Sequence, residues 1–126
     1  MKSFDSSSSK VNRPSGKYQN RILVKSCDRK VFIEVDEIEW IESSGNYVKL
    51  NLRDNTYLVR GTLKKLENCL DPLHFVRIHR SCIVNINMVK EIEPWFSGDA
   101  KVILKNGESL KLSRNYKDNL ERFKID

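Results

Sequence analysis

Nowhere in its 126 residues does the chain carry an apolar run long enough to cross a bilayer, and no hydrophobic segment follows Lys2. Neither a membrane span nor a secretory leader is therefore expected, and a cytoplasmic protein is. Cysteine is scarce. Cys27, Cys69 and Cys82 are odd in number and widely spaced, which argues against a disulfide framework and against any zinc pattern, so reduced thiols are expected; a redox role for one of them stays open. Histidine is scarcer still, with His74 and His79 alone. No nucleophile turn, Gly-rich phosphate loop or His-Glu-x-x-His pattern frames them, so no catalytic residue, cofactor or metal site is expected. His79 reads as a structural residue and His74 as a loop residue. The acidic stretch Glu34, Asp36, Glu37, Glu39 and Glu42 lacks the Asp-x-Asp-x-Asp-Gly order of a calcium loop, and reads as the solvated face of strand and turn.

Positive charge is what the chain does have. The formal charge is +6, but half of it lies in residues 1–20, where Lys2, Lys10, Arg13 and Lys17 face only Asp5. That segment, with four consecutive serines and a Pro-Ser-Gly run, reads as a flexible linker or tail ahead of one domain over residues 21–126. Within the domain the charges segregate. The acidic stretch comes early, while Arg60, Lys64, Lys65, Arg77, Arg80, Lys101, Lys105, Lys111, Arg114 and Lys117 dominate later segments. If the fold gathers those bases on one side, a polyanion footprint results; otherwise the surface is an ordinary mixed one.

The hydrophobic pattern is that of a mainly β chain. RILVKS (21–26) and KVFIEV (30–35) flank Asp28-Arg29 as a first hairpin. EIEWIES (37–43) is followed by a Ser-Ser-Gly-Asn break. YVKLNLR (47–53) alternates cleanly and turns at Asp54-Asn55 into TYLVR (56–60). The period then changes: Leu63, Leu66 and Leu70 behind Thr62 predict a short amphipathic helix capped by that threonine. MVKEIE (88–93) precedes a loop over 94–99. Asn106-Gly107, between the alternating halves of AKVILKNGESLKLS, predicts a type I′ hairpin turn. Tyr116, Leu120 and Phe123 behind Ser113 predict a short closing helix.

Three loop-like clusters carry donors beside small or hydroxyl residues: SSGNYVK (43–49), RIHRS (77–81) and LSRNYK (112–117). Arginine can bridge both acceptors of a guanine edge, asparagine can pair with adenine, and Ser, Lys and backbone amides suit phosphate oxygens. Any one cluster alone is more often an ordinary surface loop. Together they suit double-stranded DNA, or alternatively a small β-rich module that docks on a protein or anionic surface without reading bases.

The ordered set IEWIESSGNYVKL, FVRIHRSCIVNINMVKEI and VILKNGESLKLSRNYKDNL resembles the LytTR DNA-binding domain, the output domain of LytR/AlgR-type bacterial response regulators. The resemblance runs from about Arg21 to Phe123. It implies an elongated, mainly β stack of small antiparallel sheets with one or two short helices. It further implies sequence-specific DNA binding by a transcriptional regulator, with loops in successive major grooves and a bent duplex. Carried over by position, Asn46, Tyr47, Arg80 and Arg114 are the expected base readers. Ser81, Lys117, Asn115, Lys101 and Arg60 are the expected phosphate contacts. His79 and Asn85 are expected to brace the RIHRS bend, and Arg77 to pair with a carboxylate such as Glu91 or Glu93. Expected partners are direct-repeat promoter sites, a second copy in a dimer or side-by-side pair, and a receiver domain or sensor-kinase pathway. The residues leave no room for a receiver domain, so an excised output domain and a stand-alone regulator both remain open.

Overall fold

The computed structural model describes residues 18–125; residues 1–17, most of the expected tail, lie outside the described residues. Backbone pairing begins ahead of Arg21, because the Gln19 N–H donates to the Cys69 carbonyl (3.0 Å) and the Asn20 carbonyl accepts from the Val35 N–H (2.9 Å).

Strands β1 (Arg21–Ser26) and β2 (Arg29–Glu34) form an antiparallel hairpin. Five strands make the central antiparallel sheet: β3 (Ile38–Ser44), β4 (Tyr47–Leu52), β5 (Thr56–Arg60), β6 (Phe75–His79) and β7 (Cys82–Asn85), in the order β5-β4-β3-β7-β6. Helix α1 (Leu63–Cys69) joins β5 to β6. Strands β8 (Val89–Pro94), β9 (Ala100–Leu104) and β10 (Ser109–Leu112) form a third sheet in chain order, and α2 (Asp118–Glu121) closes the described chain. The expected mainly β stack with two short helices is what the chain forms.

Strand alternation explains the layering. Successive side chains point to opposite faces, so a strand buried on both faces must be apolar at both parities. On β7, Ile83 joins one core and Val84 the other; on β6, Phe75 goes to the first, Val76 and Ile78 to the second. The first core also takes Val24 and Ile33 from the hairpin and Leu63 and Leu70 from around α1. The second takes Ala100, Val102 and Leu104 from β9, Leu112 from β10 and Leu120 from α2. Each large aliphatic side chain removed from water stabilises by about 1.5–3 kcal/mol. Strand β4 alternates cleanly in sequence because Val48 and Leu50 enter the first core while Tyr47 on the other parity stays exposed.

Two local expectations meet different outcomes. The Thr62 hydroxyl accepts from the Lys65 N–H at 3.1 Å and caps α1 as its sequence predicts. The Asn106-Gly107 turn is not type I′: of that pair only Gly107 takes a positive φ, +95°. The Gly107 N–H bonds the Leu104 carbonyl at 2.9 Å and the Leu104 N–H the Glu108 carbonyl at 2.8 Å, giving a three-residue loop that ends on a left-handed glycine. Asn106 is held out of the left-handed region by its own side chain, which accepts from the Glu108 N–H (2.7 Å) and donates to the buried Glu39 carboxylate (2.6 Å).

Candidate nucleic-acid interface

Four hydrogen bonds tie the three donor clusters to one end of the molecule. The Gly61 N–H, just ahead of α1, donates to the Asn46 carbonyl of the β3–β4 loop (3.0 Å), and the Ser43 N–H donates to the Ser81 carbonyl in the β6–β7 bend (3.0 Å). The Ser113 N–H donates to the Ile78 carbonyl on the near side of that bend (2.9 Å), and the Arg114 N–H to Asp99 Oδ1 in the β8–β9 loop (2.9 Å). An open cleft of about 490 Å³ lies between the first loop, the start of α1 and the bend, lined among others by Asn46, Arg60, Thr62, Lys64, Arg77 and Arg80. Three of the sequence-predicted residues, Asn46, Arg60 and Arg80, thus share one cleft. Tyr47, 41% exposed, stands beside it as the cross-strand partner of Arg60.

The bend is built from below. Arg77 Nε donates to the His79 carbonyl (3.0 Å), Nη2 to the Arg80 carbonyl, and Nη1 to Glu67 Oε1 of α1 (2.9 Å). One guanidinium therefore satisfies both carbonyls of the turn and an ion pair at once. Arg77 pairs with a carboxylate, as expected, but not with Glu91 or Glu93, the examples the sequence offered. Both stand on β8, in the layer packed on the other face of the central sheet, whereas Arg77 shares a parity with Phe75 and faces α1. Glu67 is the partner for that geometric reason. The Asn119 side-chain amide of α2 secures the Arg77 carbonyl at 2.8 Å.

His79 Nδ1 accepts from the Ser81 N–H (3.1 Å) and lies 2.9 Å from the Ser81 hydroxyl. Burial, then Lys111 and Arg80, lower the His79 pKa, which keeps the ring neutral and Nδ1 free to accept. The Ser81 hydroxyl is thereby turned toward His79; it reaches a phosphate only by rotating away. Asn85 does not touch the bend. It sits at the other end of β7, donating to the Ile38 (2.8 Å) and Asp36 (3.3 Å) carbonyls and accepting from the Asn87 N–H (2.9 Å). Arg80 itself is exposed, and among the described residues its guanidinium has no hydrogen-bond or ion-pair partner.

Arg114 is exposed on the neighbouring junction, its Nη1 3.4 Å from the Ser97 carbonyl. The Arg114 N–H and Lys111 (3.6 Å) both favour the Asp99 carboxylate form and lower its pKa, the N–H most strongly. Asn115 is exposed and Lys117 half-buried at the head of α2, with the Asn115 N–H bonded to the Ser113 hydroxyl (3.3 Å). Lys101 is not brought to the cleft. Strand parity places it on the outer face of the third sheet, opposite Glu93 and Lys111, with its ammonium 4.9 Å from the Trp95 ring centroid. Lys64 and Thr62 line the cleft and were not among the expected site residues. The capped start of α1 was their signal, since it fixes where the residues after Arg60 must turn.

The acidic residues gather elsewhere. Asp36, Glu37, Glu39 and Asp54 line a second cleft at the β4–β5 turn, the far end of β4 from Asn46. No group of three or more candidate ligands capable of holding a metal occurs among the described residues. Cys82 has its pKa pushed up to about 12 by burial and by Glu42, so it stays a thiol.

The pattern of the LytTr DNA-binding domain matches residues 28–124. The chain belongs to that family. This LytTr domain is 30% identical over 104 residues to the sensory transduction protein LytT of Bacillus subtilis (strain 168), covering 82% of the chain and 43% of that protein. It is 28% identical over 115 residues to the transcriptional regulatory protein LytR of Staphylococcus aureus (strain MW2), covering 91% of the chain and 47% of that protein. The chain spans less than half the length of these relatives. Among solved structures, a LytTr DNA-binding domain from Bacillus cereus superposes with a TM-score of 0.75 at 24% identity, over 82% of the chain and 95% of that domain, a likeness of fold. No described helix of the LytTr domain is long and apolar enough to cross a membrane.

Proposed function

We propose that the chain binds double-stranded DNA sequence-specifically as the cytoplasmic output module of a bacterial transcriptional regulator. The observation that carries this reading is the bend: Arg77 and His79 fix its backbone while Arg80 stays unengaged at the mouth of a cation-lined cleft. An unpaired guanidinium on a fixed backbone is suited to a guanine edge in the major groove, where both acceptors are met without first breaking a protein contact. In this reading Arg80, Arg114 and Asn46 or Tyr47 reach base edges in successive major grooves. Arg60, Lys64, Asn115 and Lys117 hold the intervening phosphates, with Ser81 and Lys101 at the margin. Because the contacts come from short loops, the duplex bends toward the protein to meet them all, at a deformation cost of order 1–6 kcal/mol.

Direct-repeat sites occupied by two copies, and a receiver domain answering to a sensor kinase, are the partners this reading implies. The deciding experiment is selection from random duplexes at stated salt. Convergence on one motif supports base reading. Recovery of no motif, with binding that scales only with salt, would reassign the cleft to a general anionic surface.

A further inference from the structure

The loop between β8 and β9 belongs to neither core and is nonetheless fixed. Trp95 and Asp99 close it with an N–H to carbonyl bond of 2.9 Å, and the Asp99 N–H bonds the Phe96 carbonyl at 2.9 Å. Ser97 (φ +56°) and Gly98 (φ +86°) are both left-handed, a backbone that glycine adopts freely and serine only under constraint. The loop holds two aromatic rings in solvent. Phe96 is 75% exposed, more than any other large apolar residue among those described except Ile125, and Trp95 is 44% exposed with its ring centroid 5.8 Å from that of Phe96.

Its position is set by strand register. Ala100 pairs with both Pro94 and Leu112, so residues 95–99 leave the third sheet beside Ser113 and Arg114. Arg114 is joined to the loop through Asp99 and the Ser97 carbonyl, and Ser113 is joined to the bend that carries Arg80. Three cations stand nearby, Lys101 over Trp95, Lys111 against Asp99, and Arg114, beside one further carboxylate, Glu93, the cross-strand partner of Lys101. Asp99, the carboxylate of the loop, is already engaged by Lys111 and the Arg114 N–H.

We infer that Phe96 is a fourth DNA-contacting element, set by its rigid loop to meet the 5-methyl groups of thymines beside the base pair that Arg114 reads. This rests on the DNA-binding reading above and adds a base preference to it. The chemistry follows from the groove. Thymine methyls are the apolar groups a major-groove wall offers, and phosphates flanking the loop find Lys101 and Lys111. Trp95 has Lys101 on its ring, which leaves Phe96 as the ring to enter.

The test takes the duplex selected by the wild-type chain and replaces the thymines flanking the Arg114-dependent base pair, one at a time, by deoxyuridine, which lacks only the methyl group. Wild type, Phe96→Ala, Phe96→Leu and Arg114→Ala are titrated against every version, with thermal unfolding run alongside. Phe96→Ala is expected to keep the wild-type unfolding temperature, to lose roughly tenfold in affinity for the thymine duplex, and to be indifferent to deoxyuridine. Wild type is expected to lose about fourfold on deoxyuridine, the effect of one methyl group, and Phe96→Leu to fall between. Full affinity in Phe96→Ala, or an equal deoxyuridine penalty in wild type and variant, overturns the inference; so does a changed oligomeric state with unchanged DNA affinity, which reassigns the rings to protein contact. A motif lost by Arg114→Ala but kept by Phe96→Ala removes Phe96 alone, whereas no motif from the wild type removes the DNA reading and this one with it.

Discussion

The two arginines at this end of the molecule are presented in opposite ways. Arg80 has its backbone clamped by other residues, Arg77 and His79, and its own guanidinium unengaged. Arg114 is tethered through itself, by its N–H to Asp99 and by its guanidinium near the Ser97 carbonyl. The first arrangement separates support from contact, so the two can be altered independently. The second joins them in one residue, and because its main tether is a backbone N–H, that tether is broken from the loop side, at Asp99, and not by changing the arginine side chain.

The comparison can be broken most forcefully at the clamp. Arg77→Ala removes the donors of the His79 and Arg80 carbonyls and leaves Glu67 without its partner. Urea unfolding should report a loss of about 1–3 kcal/mol, with DNA affinity falling too. Unchanged stability would mean the clamp is dispensable. Next in size, Arg80→Ala should cost about 1–3 kcal/mol of cognate binding and relax base preference, while leaving stability within experimental error. Isothermal titration on cognate and single-mismatch duplexes separates these outcomes. Asp99→Ala, by contrast, should reduce both stability and cognate affinity, by about 1 kcal/mol each, because tether and contact are one structure there. The smallest change is at Lys117. Its alanine variant should weaken cognate and random DNA alike and shallow the slope of log affinity on log salt by about 1.

His79 adds a pH dependence with a definite sign. Its pKa is lowered in the folded chain, so on acidification the unfolded chain takes up this proton first. The stability tied to the neutral ring is complete above about pH 6.5 and declines as pH falls from there toward the lowered pKa, below which it changes no further. Denaturant titrations from pH 8 to 5 on wild type and His79→Gln should diverge in that window. Parallel curves would remove the imidazole from the account.

Much of this architecture is legible in the residues. The hairpins and α1 could be placed because apolar spacing and a capping threonine act within a few residues of each other. The gathering of Asn46, Arg60 and Arg80 was only conditional on the sequence, since it depends on backbone bonds between segments far apart, such as Ser43 to Ser81. What escaped the sequence depends on which face of a sheet a residue meets. Arg77 pairs with Glu67 and not with Glu91 or Glu93 because strand parity turns it toward α1, and Lys101 leaves the cleft because parity turns it outward. The Asn106-Gly107 turn departs from type I′ because Asn106 is committed to Glu39, a residue 67 positions away in the chain.

Along the β6–β7 hairpin both cores are felt within a few residues, Ile83 belonging to one and Ile78 and Val84 to the other. A force applied at the tip by a resisting duplex is therefore shared between two separately packed interiors. Yielding would require both to loosen together, so the hairpin behaves as a beam anchored on either side. In the proposed complex the nucleic acid, bendable at a few kcal/mol, would then be the partner to give way first.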